Sequence, residues 1–310
     1  MMEQKQPPLL AIVIPTFNRK KELSLLLSQL KDQDESGCSY VAVVVIDGST
    51  DGTVEMLQQD FPDVKTVLGS GQWWFTKSLN EGCKYAIEEL GADLILTMND
   101  DVQLPSQYLS ELMKGYRESG GEAIIGSASY SVSTPRMITF GGFKGENRIR
   151  LKYYKYVPSF TFMEPGELKG LVTSVTLPTR GTLVPSGVMK RLNYLDDKVF
   201  PQYNSDYDFV LRAGRAGVKV YLSYDAYVFE NMQLTSGGNP RLVKSFGAYL
   251  RNIFFNRYSS NYFFNQLHMS WRFGYKILFP YYFLVAVAVI PYIYMKYKFS
   301  SLNKAVEGKN

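Results

Sequence analysis

Short apolar runs alternate with stretches of helical periodicity through the first third of this chain. Residues 9–14 (LLAIVI) are continuously apolar and stop at Pro15-Thr16-Phe17-Asn18; the following KKELSLLLSQL places Leu23, Leu26, Leu27 and Leu30 on one helical face. Residues 41–46 (VAVVVI) repeat the pattern and end in Asp47-Gly48-Ser49-Thr50-Asp51-Gly52-Thr53, before a helical stretch through Val54, Met56 and Leu57. Residues 65–68 read as a weaker third strand, and 77–90 as a third helix carrying Leu79, Cys83, Ala86, Ile87 and Leu90. In 93–101 (DLILTMNDD), positions 94–98 are apolar except Thr97, as in a strand covered on both faces. This alternation predicts an α/β fold with a mainly parallel central sheet and crossover connections.

The fourth strand ends in one amide and two adjacent carboxylates, Asn99-Asp100-Asp101. Open α/β sheets bind ligands just outside such strand ends. Two neighbouring carboxylates repel each other and call for a cation, and hard oxygen ligands suit Mg²⁺ or Mn²⁺ carrying a substrate's phosphates. A solvated turn before Pro105 is the competing reading. Asn18, Asp47 and Asp51 would gather on the same sheet edge, where Asp47 can accept from a base N–H and Thr16 can reach base or ribose. Asp51 reads better as a helix cap. Neither GxGxxG nor a Walker lysine motif occurs, so a dinucleotide fold and a P-loop ATPase are unsupported.

Further along, 69–77 (GSGQWWFTK) puts Trp73 and Trp74 in an expected loop, either stacking on a sugar or base or packing beneath the loop. Residues 121–180 read as mixed strands and turns, and RIRLKYYKYVPSF within them takes no assigned role. Residues 180–185 (RGTLVP) look like a strand returning to the sheet, followed by a short helix. Asp206 and Asp208 stand at a helix start, where the helix dipole stabilises an anion; one suits a general base and the other a cap. Residues 219–222 and 226–229 read as extended pieces leading to Glu230 and Asn231.

Composition narrows the class. Across 310 residues, 45% are hydrophobic and 20% charged, which is a globular chain with a real core. The net charge of +5 is modest, and the basic residues recur late, through Arg241, Lys244, Arg251, Arg257, Arg272, Lys276, Lys296 and Lys298, which suggests an anionic surface near the C-terminus rather than a nucleic-acid groove. Cys38 and Cys83 are too few for a disulfide framework. The first residues lack a signal-peptide pattern. Residues 277–295 (ILFPYYFLVAVAVIPYIYM) carry no charge and approach the ~20 residues needed to cross a bilayer, with tyrosines toward both ends. A span, a re-entrant or interfacial segment and a buried terminal helix all fit this stretch. Ahead of it, 242–275 alternates aromatic and basic residues, either as an interfacial platform whose Arg251, Arg257 and Arg272 meet anionic lipid, or as a surface packed on the preceding domain. The expected domains are 1–240 and a helical extension 241–310.

With these residues in place, 9–232 resembles the family 2 inverting glycosyltransferases of the nucleotide-diphospho-sugar transferase (GT-A type) fold, especially bacterial enzymes of surface polysaccharide synthesis. PTFNR, DGSTDGT, NDD, RGTLVP and NSDYDFVLR stand in that family's order. The resemblance implies nucleotide-sugar contacts from Pro15, Thr16, Asn18, Arg19, Asp47, Trp73, Trp74, Lys77 and Asp100. It implies a Mg²⁺ or Mn²⁺ ligand at Asp101, with Glu230 as a second, and a base at Asp206. Three departures are visible: Ile46 where many members have Asp, Ser205 for Glu before the base, and Glu230 where many have His. His268 lies too far along to match and suits packing.

The implied reaction moves a hexosyl or deoxyhexosyl group from a nucleotide-diphosphate sugar to a hydroxyl of a lipid-linked glycan at the cytoplasmic face of the inner membrane. A sugar-1-phosphate nucleotidyltransferase is a rival, although LAIVIPTFNRK lacks the basic glycine-rich loop it needs. A non-catalytic membrane-docked nucleotide-sugar-binding protein is another.

Overall fold

The computed structural model describes residues 7–34, 38–232 and 245–307. The expectations for the first residues, for Arg241 and for Lys244 lie outside them.

Four strands pair in parallel in the order β3 (Lys65–Leu68), β2 (Ser39–Ile46), β1 (Leu9–Thr16) and β4 (Leu94–Thr97). Their inward residues are β-branched or aliphatic, and β1 is buried from Leu10 onward, which explains the uninterrupted apolar runs. Between them run α1 (Lys20–Lys31), α2 (Thr53–Asp60) and α3 (Trp74–Glu88). Leu23, Leu26, Leu27 and Leu30 are buried on α1 as the spacing predicts. The third helix starts earlier than the sequence periodicity suggests, at Trp74, so the aromatic loop is partly helical.

Beyond β4 come a short β5 (Val102–Gln103), α4 (Tyr108–Glu118) and β6 (Ile124–Ser131). Then β7 (Met137–Phe140), β8 (Phe143–Asn147), β9 (Lys152–Lys155), β10 (Thr161–Phe162) and β11 (Leu171–Thr173) lead to β12 (Thr182–Pro185). Strand β12 inserts antiparallel between β4 and β6, so the sheet is parallel on one side and mixed on the other. Next stand α5 (Ser186–Arg191), α6 (Ser205–Arg215) and β13 (Val220–Glu230). The two extended pieces expected near 219–229 are one strand, parallel to β6, with an irregularity between Ser223 and Tyr227. One core layer packs α3 and α6 on one sheet face, and a second packs α1, α2 and α4 on the other.

The tail forms α7 (Phe246–Phe255), α8 (Phe263–Phe273), a 3-10 turn at Lys276–Leu278 and α9 (Phe279–Glu307). Tyr249, Ile253, Phe263, Ala286 and Ile290 make a separate small core among these helices. The segment Lys276–Met295 is long and apolar enough to cross a membrane, with a mean hydropathy of 1.9 and only 17% of its window buried. Pro280 occupies the first turn of α9, where its missing N–H costs nothing, whereas Pro291 lies inside the helix.

The platform reading of 242–275 needs correction at Arg272, whereas Arg257 stays exposed. Arg272 turns inward, 2.7 Å from Asp208 and joined to Asp196 at 2.5 Å, while Arg257 donates to the carbonyl of Lys198 at 2.6 Å. The buried carboxylate of Asp208 requires a cation, and that demand outweighs exposure of Arg272 to water or lipid. Arg251 is exposed on α7. His268 packs edge-on against Phe200, as expected of a packing residue.

Candidate active site

A cavity of about 470 Å³ opens at the carboxyl ends of β1, β2 and β4 and at the N-terminus of α6. Pro15, Thr16, Arg19, Asp47, Trp74, Asp100, Asp101, Asp206 and Glu230 all line it, together with Phe17, Asn99, Arg180 and Tyr203. Asn18, Trp73 and Lys77 are not among its lining residues. Asn18 instead ties the first two loops together, accepting from the Thr50 amide at 2.8 Å and donating its own backbone N–H to Ser49 Oγ. Trp73 packs partly buried on the core, and Lys77 lies over its ring at 5.4 Å on the outer face of α3.

Asp47 is 8% exposed, and its two oxygens accept three amides: Gly71 at 2.7 Å on Oδ1, and Trp73 at 2.7 Å and Trp74 at 2.9 Å on Oδ2. The carboxylate thus organises the loop before α3 and keeps limited acceptor capacity for a base. A glycine is needed at 69, because a Cβ there would lie 2.5 Å from Asp47 Oδ1. Trp74 has φ +59, a conformation that bulky residues rarely adopt. Its indole, facing the cavity, stacks on Tyr258 from the tail with centroids 3.7 Å apart and planes 11° from parallel.

Asp51 stands one residue before the N-cap position, which Gly52 fills, and ties the starts of α1 and α2 together by accepting from the backbone of Lys20 and Thr53 and from Thr53 Oγ1, contacts that hold its pKa below the ordinary value against the effect of burial.

The paired acids meet a basic partner. Arg19 Nη1 reaches Asp100 Oδ1 at 2.8 Å and Asp101 Oδ2 at 2.9 Å, and Thr16 donates to Asp100 Oδ2 at 2.8 Å. Burial pushes Asp100 up to about 6, although Arg19 and Thr16 pull the other way. Asn99 Oδ1 is buried beside them without a hydrogen-bond partner. No group of three or more acidic, His or Cys side chains suited to caging a metal occurs among the described residues. Mg²⁺ ordinarily takes one or two carboxylates and completes its shell with phosphate oxygens and water, so these carboxylates and the orphaned amide oxygen form a fitting donor set.

Glu230 has a different partner from the one expected: Arg180 Nη1 lies 2.9 Å from its Oε2, and Arg180 Nε donates to Ser129 Oγ at 3.2 Å. Sequence reasoning assigned Arg180 no task. The only mark it left in the sequence is its place at the head of RGTLVP, just before the strand that returns to the sheet.

Asp206 sits in the first turn of α6, half-buried, with Oδ1 accepting the Tyr207 amide at 2.8 Å. Burial raises its pKa, opposed by that amide and by Arg180. Ser205 is 1% exposed and bonded by Thr76 Oγ1 at 2.9 Å. Asp208 is fully buried and faces away, held by Arg212 at 2.8 Å as well as by Arg272.

Residues 11–158 match the family described as Glycosyl transferase family 2. The undecaprenyl-phosphate 4-deoxy-4-formamido-L-arabinose transferase of Aeromonas hydrophila is 31% identical over 117 residues, 35% of this chain and 35% of that protein. The dolichol-phosphate mannosyltransferase of Pyrococcus furiosus is 29% identical over 120 residues, 38% of this chain and 32% of that one. The GalNAc(5)-diNAcBac-PP-undecaprenol beta-1,3-glucosyltransferase of Campylobacter jejuni is 27% identical over 125 residues, 38% of this chain and 39% of that one. The chain thus spans under half the length of these relatives. In fold it is similar to the crystal structure of S. aureus TarS 1-349, with a TM-score of 0.56 and 13% identity over 95% of this chain and 91% of that one.

Proposed function

We propose that the chain, whose residues 11–158 match glycosyl transferase family 2, transfers a sugar in this cavity from a nucleotide-diphosphate donor to a hydroxyl of a lipid-linked glycan, with inversion. The observation that carries this reading is one cavity lined both by the Asp100–Asp101 pair and by Asp206. The first two suit the nucleotide and diphosphate, and the third suits an attacking hydroxyl.

Asp206 takes the acceptor proton as the acceptor oxygen attacks the anomeric carbon. The bond from that carbon to the diphosphate oxygen breaks, and its electron pair leaves with the nucleoside diphosphate. A single displacement with one base inverts the centre. The raised pKa of Asp206 makes it a stronger proton acceptor than a solvated carboxylate.

Charge balance supports a divalent cation. Asp47, Asp100, Asp101, Asp206 and Glu230 face the cavity against Arg19 and Arg180, so a diphosphate entering alone meets net repulsion. Asp101 and Asp100 would hold Mg²⁺ or Mn²⁺, which supplies charge neutralisation at the departing diphosphate. Arg19, now bridging both carboxylates, would shift toward the phosphates. The apolar, little-buried segment Lys276–Met295 supports attachment to a membrane; in this reading that is the inner membrane at its cytoplasmic face, where polyprenyl-linked acceptors for surface polysaccharide are met.

The test is incubation of the full chain with a panel of nucleotide-diphosphate sugars, Mn²⁺ and polyprenyl-diphosphate-linked glycans. Release of nucleoside diphosphate with labelled lipid product is expected. Nucleotidyl transfer to a sugar 1-phosphate instead would establish the rival chemistry.

A further inference from the structure

The stretch RIRLKYYKYVPSF gains a place in the structure. Strands β8 and β9 form a two-stranded sheet apart from the central one, and its tip is 148–151. An isolated hairpin is marginal in water, so something must hold it. At its base Phe143 and Tyr153 pack around Tyr207. At its tip Arg148 Nε donates to the carbonyl of Phe273 at 3.0 Å, and its guanidinium lies over Tyr275 at 4.6 Å. The carbonyl of Arg148 in turn receives the Tyr282 hydroxyl at 2.8 Å.

Tyr282 lies in the first turn of α9. The hairpin tip is therefore fastened where the apolar segment begins. What the tip presents outward is Ile149, 55% exposed, flanked by the exposed Arg150 and Lys152. Between Lys144 and Lys155 five basic residues stand against Glu146 alone. Nearby exposed side chains are Trp271, Tyr275, Lys276 and Ile277, the last 88% exposed. Tryptophan, tyrosine and basic residues beside an apolar helix end are the composition of a headgroup boundary.

We propose that the β8–β9 tip is a second membrane contact, seating Ile149 at the acyl boundary and Arg150 and Lys152 on anionic phospholipid headgroups. This rests on the membrane reading of 277–295. The apolar helix supplies attachment, while the hairpin, separated from it by more than a hundred positions, fixes how the sheet edge is tilted toward the lipid. Basic side chains within a Debye length of an anionic surface are attracted to it, so the contact is sensitive to salt and to lipid charge.

The test uses the full chain with Cys38→Ser and a single Ile149→Cys carrying an environment-sensitive fluorophore. Vesicles are phosphatidylcholine alone or with phosphatidylglycerol, and a Leu68→Cys label on exposed β3 serves as the reference. The label at 149 should brighten and shift to the blue in anionic vesicles, more weakly in neutral ones, with no response at 68. Arg150→Glu with Lys152→Glu should abolish the response while the protein still floats with vesicles. A solvent-like label at 149 in protein that floats overturns the hairpin contact and leaves the helix reading intact. Failure of the full chain to float with either vesicle overturns the membrane reading and this proposal together.

Discussion

Nη1 of Arg272, on the tail, lies 2.7 Å from Oδ1 of Asp208, a carboxylate with no solvent exposure on the helix that starts at the cavity. With Arg212 on its other oxygen and Asp196 on the other arm of Arg272, this cluster joins the tail helices to the part of the chain that carries the central sheet. Breaking a buried pair by removing one partner leaves an uncompensated charge. Asp208→Asn should therefore destabilise the protein by about 3 kcal/mol, tempered by the partly exposed arginines, which can take up water. Thermal or denaturant unfolding in detergent measures it. A melting temperature equal to wild type would remove the cluster from any structural account.

The same joint has an acid side. Burial raises the Asp196 pKa, but Arg272 and the Val199 amide outweigh it and hold the carboxyl below its ordinary value. A depressed folded pKa contributes stability that is present above the ordinary carboxylate range and lost as pH falls through the depressed value. Proteolysis of the tail should accelerate at acid pH, and Asp196→Asn should show no such pH step.

Asp206→Asn should leave donor affinity nearly unchanged and reduce turnover by ~10²-fold or more, the loss expected for a positioned base. Since burial raises the pKa of Asp206, single-turnover rates at saturating donor should fall with acid at a pH above the ordinary carboxylate value of ~3.9. Equal rates in variant and wild type would exclude Asp206 as the base.

Asp101→Ala should abolish the Mn²⁺-dependent part of donor binding, since loss of a carboxylate leaves the diphosphate charge poorly compensated. Calorimetric titration with and without Mn²⁺ reads this directly. Unchanged metal dependence would relocate the ion.

At Asp47, three amides converge on one carboxylate. Asp47→Asn turns an acceptor into a donor facing an amide, and should cost about 1–3 kcal/mol together with weaker nucleotide binding. If binding falls while stability holds, the residue serves the ligand more than the loop.

The strands and helices of the first half were legible because buried parallel strands need unbroken apolar runs and α1 needs leucines at helical spacing. Asp206 and Asp208 show where legibility ends. Two residues apart on a helix, they point to nearly opposite sides, so one must face the cavity, but no local pattern says which. Arg272 amid aromatics resembles a lipid-facing arginine; its actual partner lies 64 positions earlier. Trp74 read as a loop residue because nothing in the sequence signals a non-glycine at positive φ. Arg180 went unassigned for a related reason: its carboxylate partner is 50 positions away on another strand.

Helix α6 has one further consequence. Its first turn carries Asp206, and its last carries Arg215, whose guanidinium holds the Arg272 and Phe273 carbonyls just ahead of the apolar segment. At about 1.5 Å per residue the two ends are ~14 Å apart. On the membrane reading, this helix acts as a ruler that fixes the altitude of Asp206, the proposed proton acceptor, over the bilayer. A lipid-borne glycan would then be sorted by reach: one whose free hydroxyl stops short of that altitude goes unused, whatever its stereochemistry.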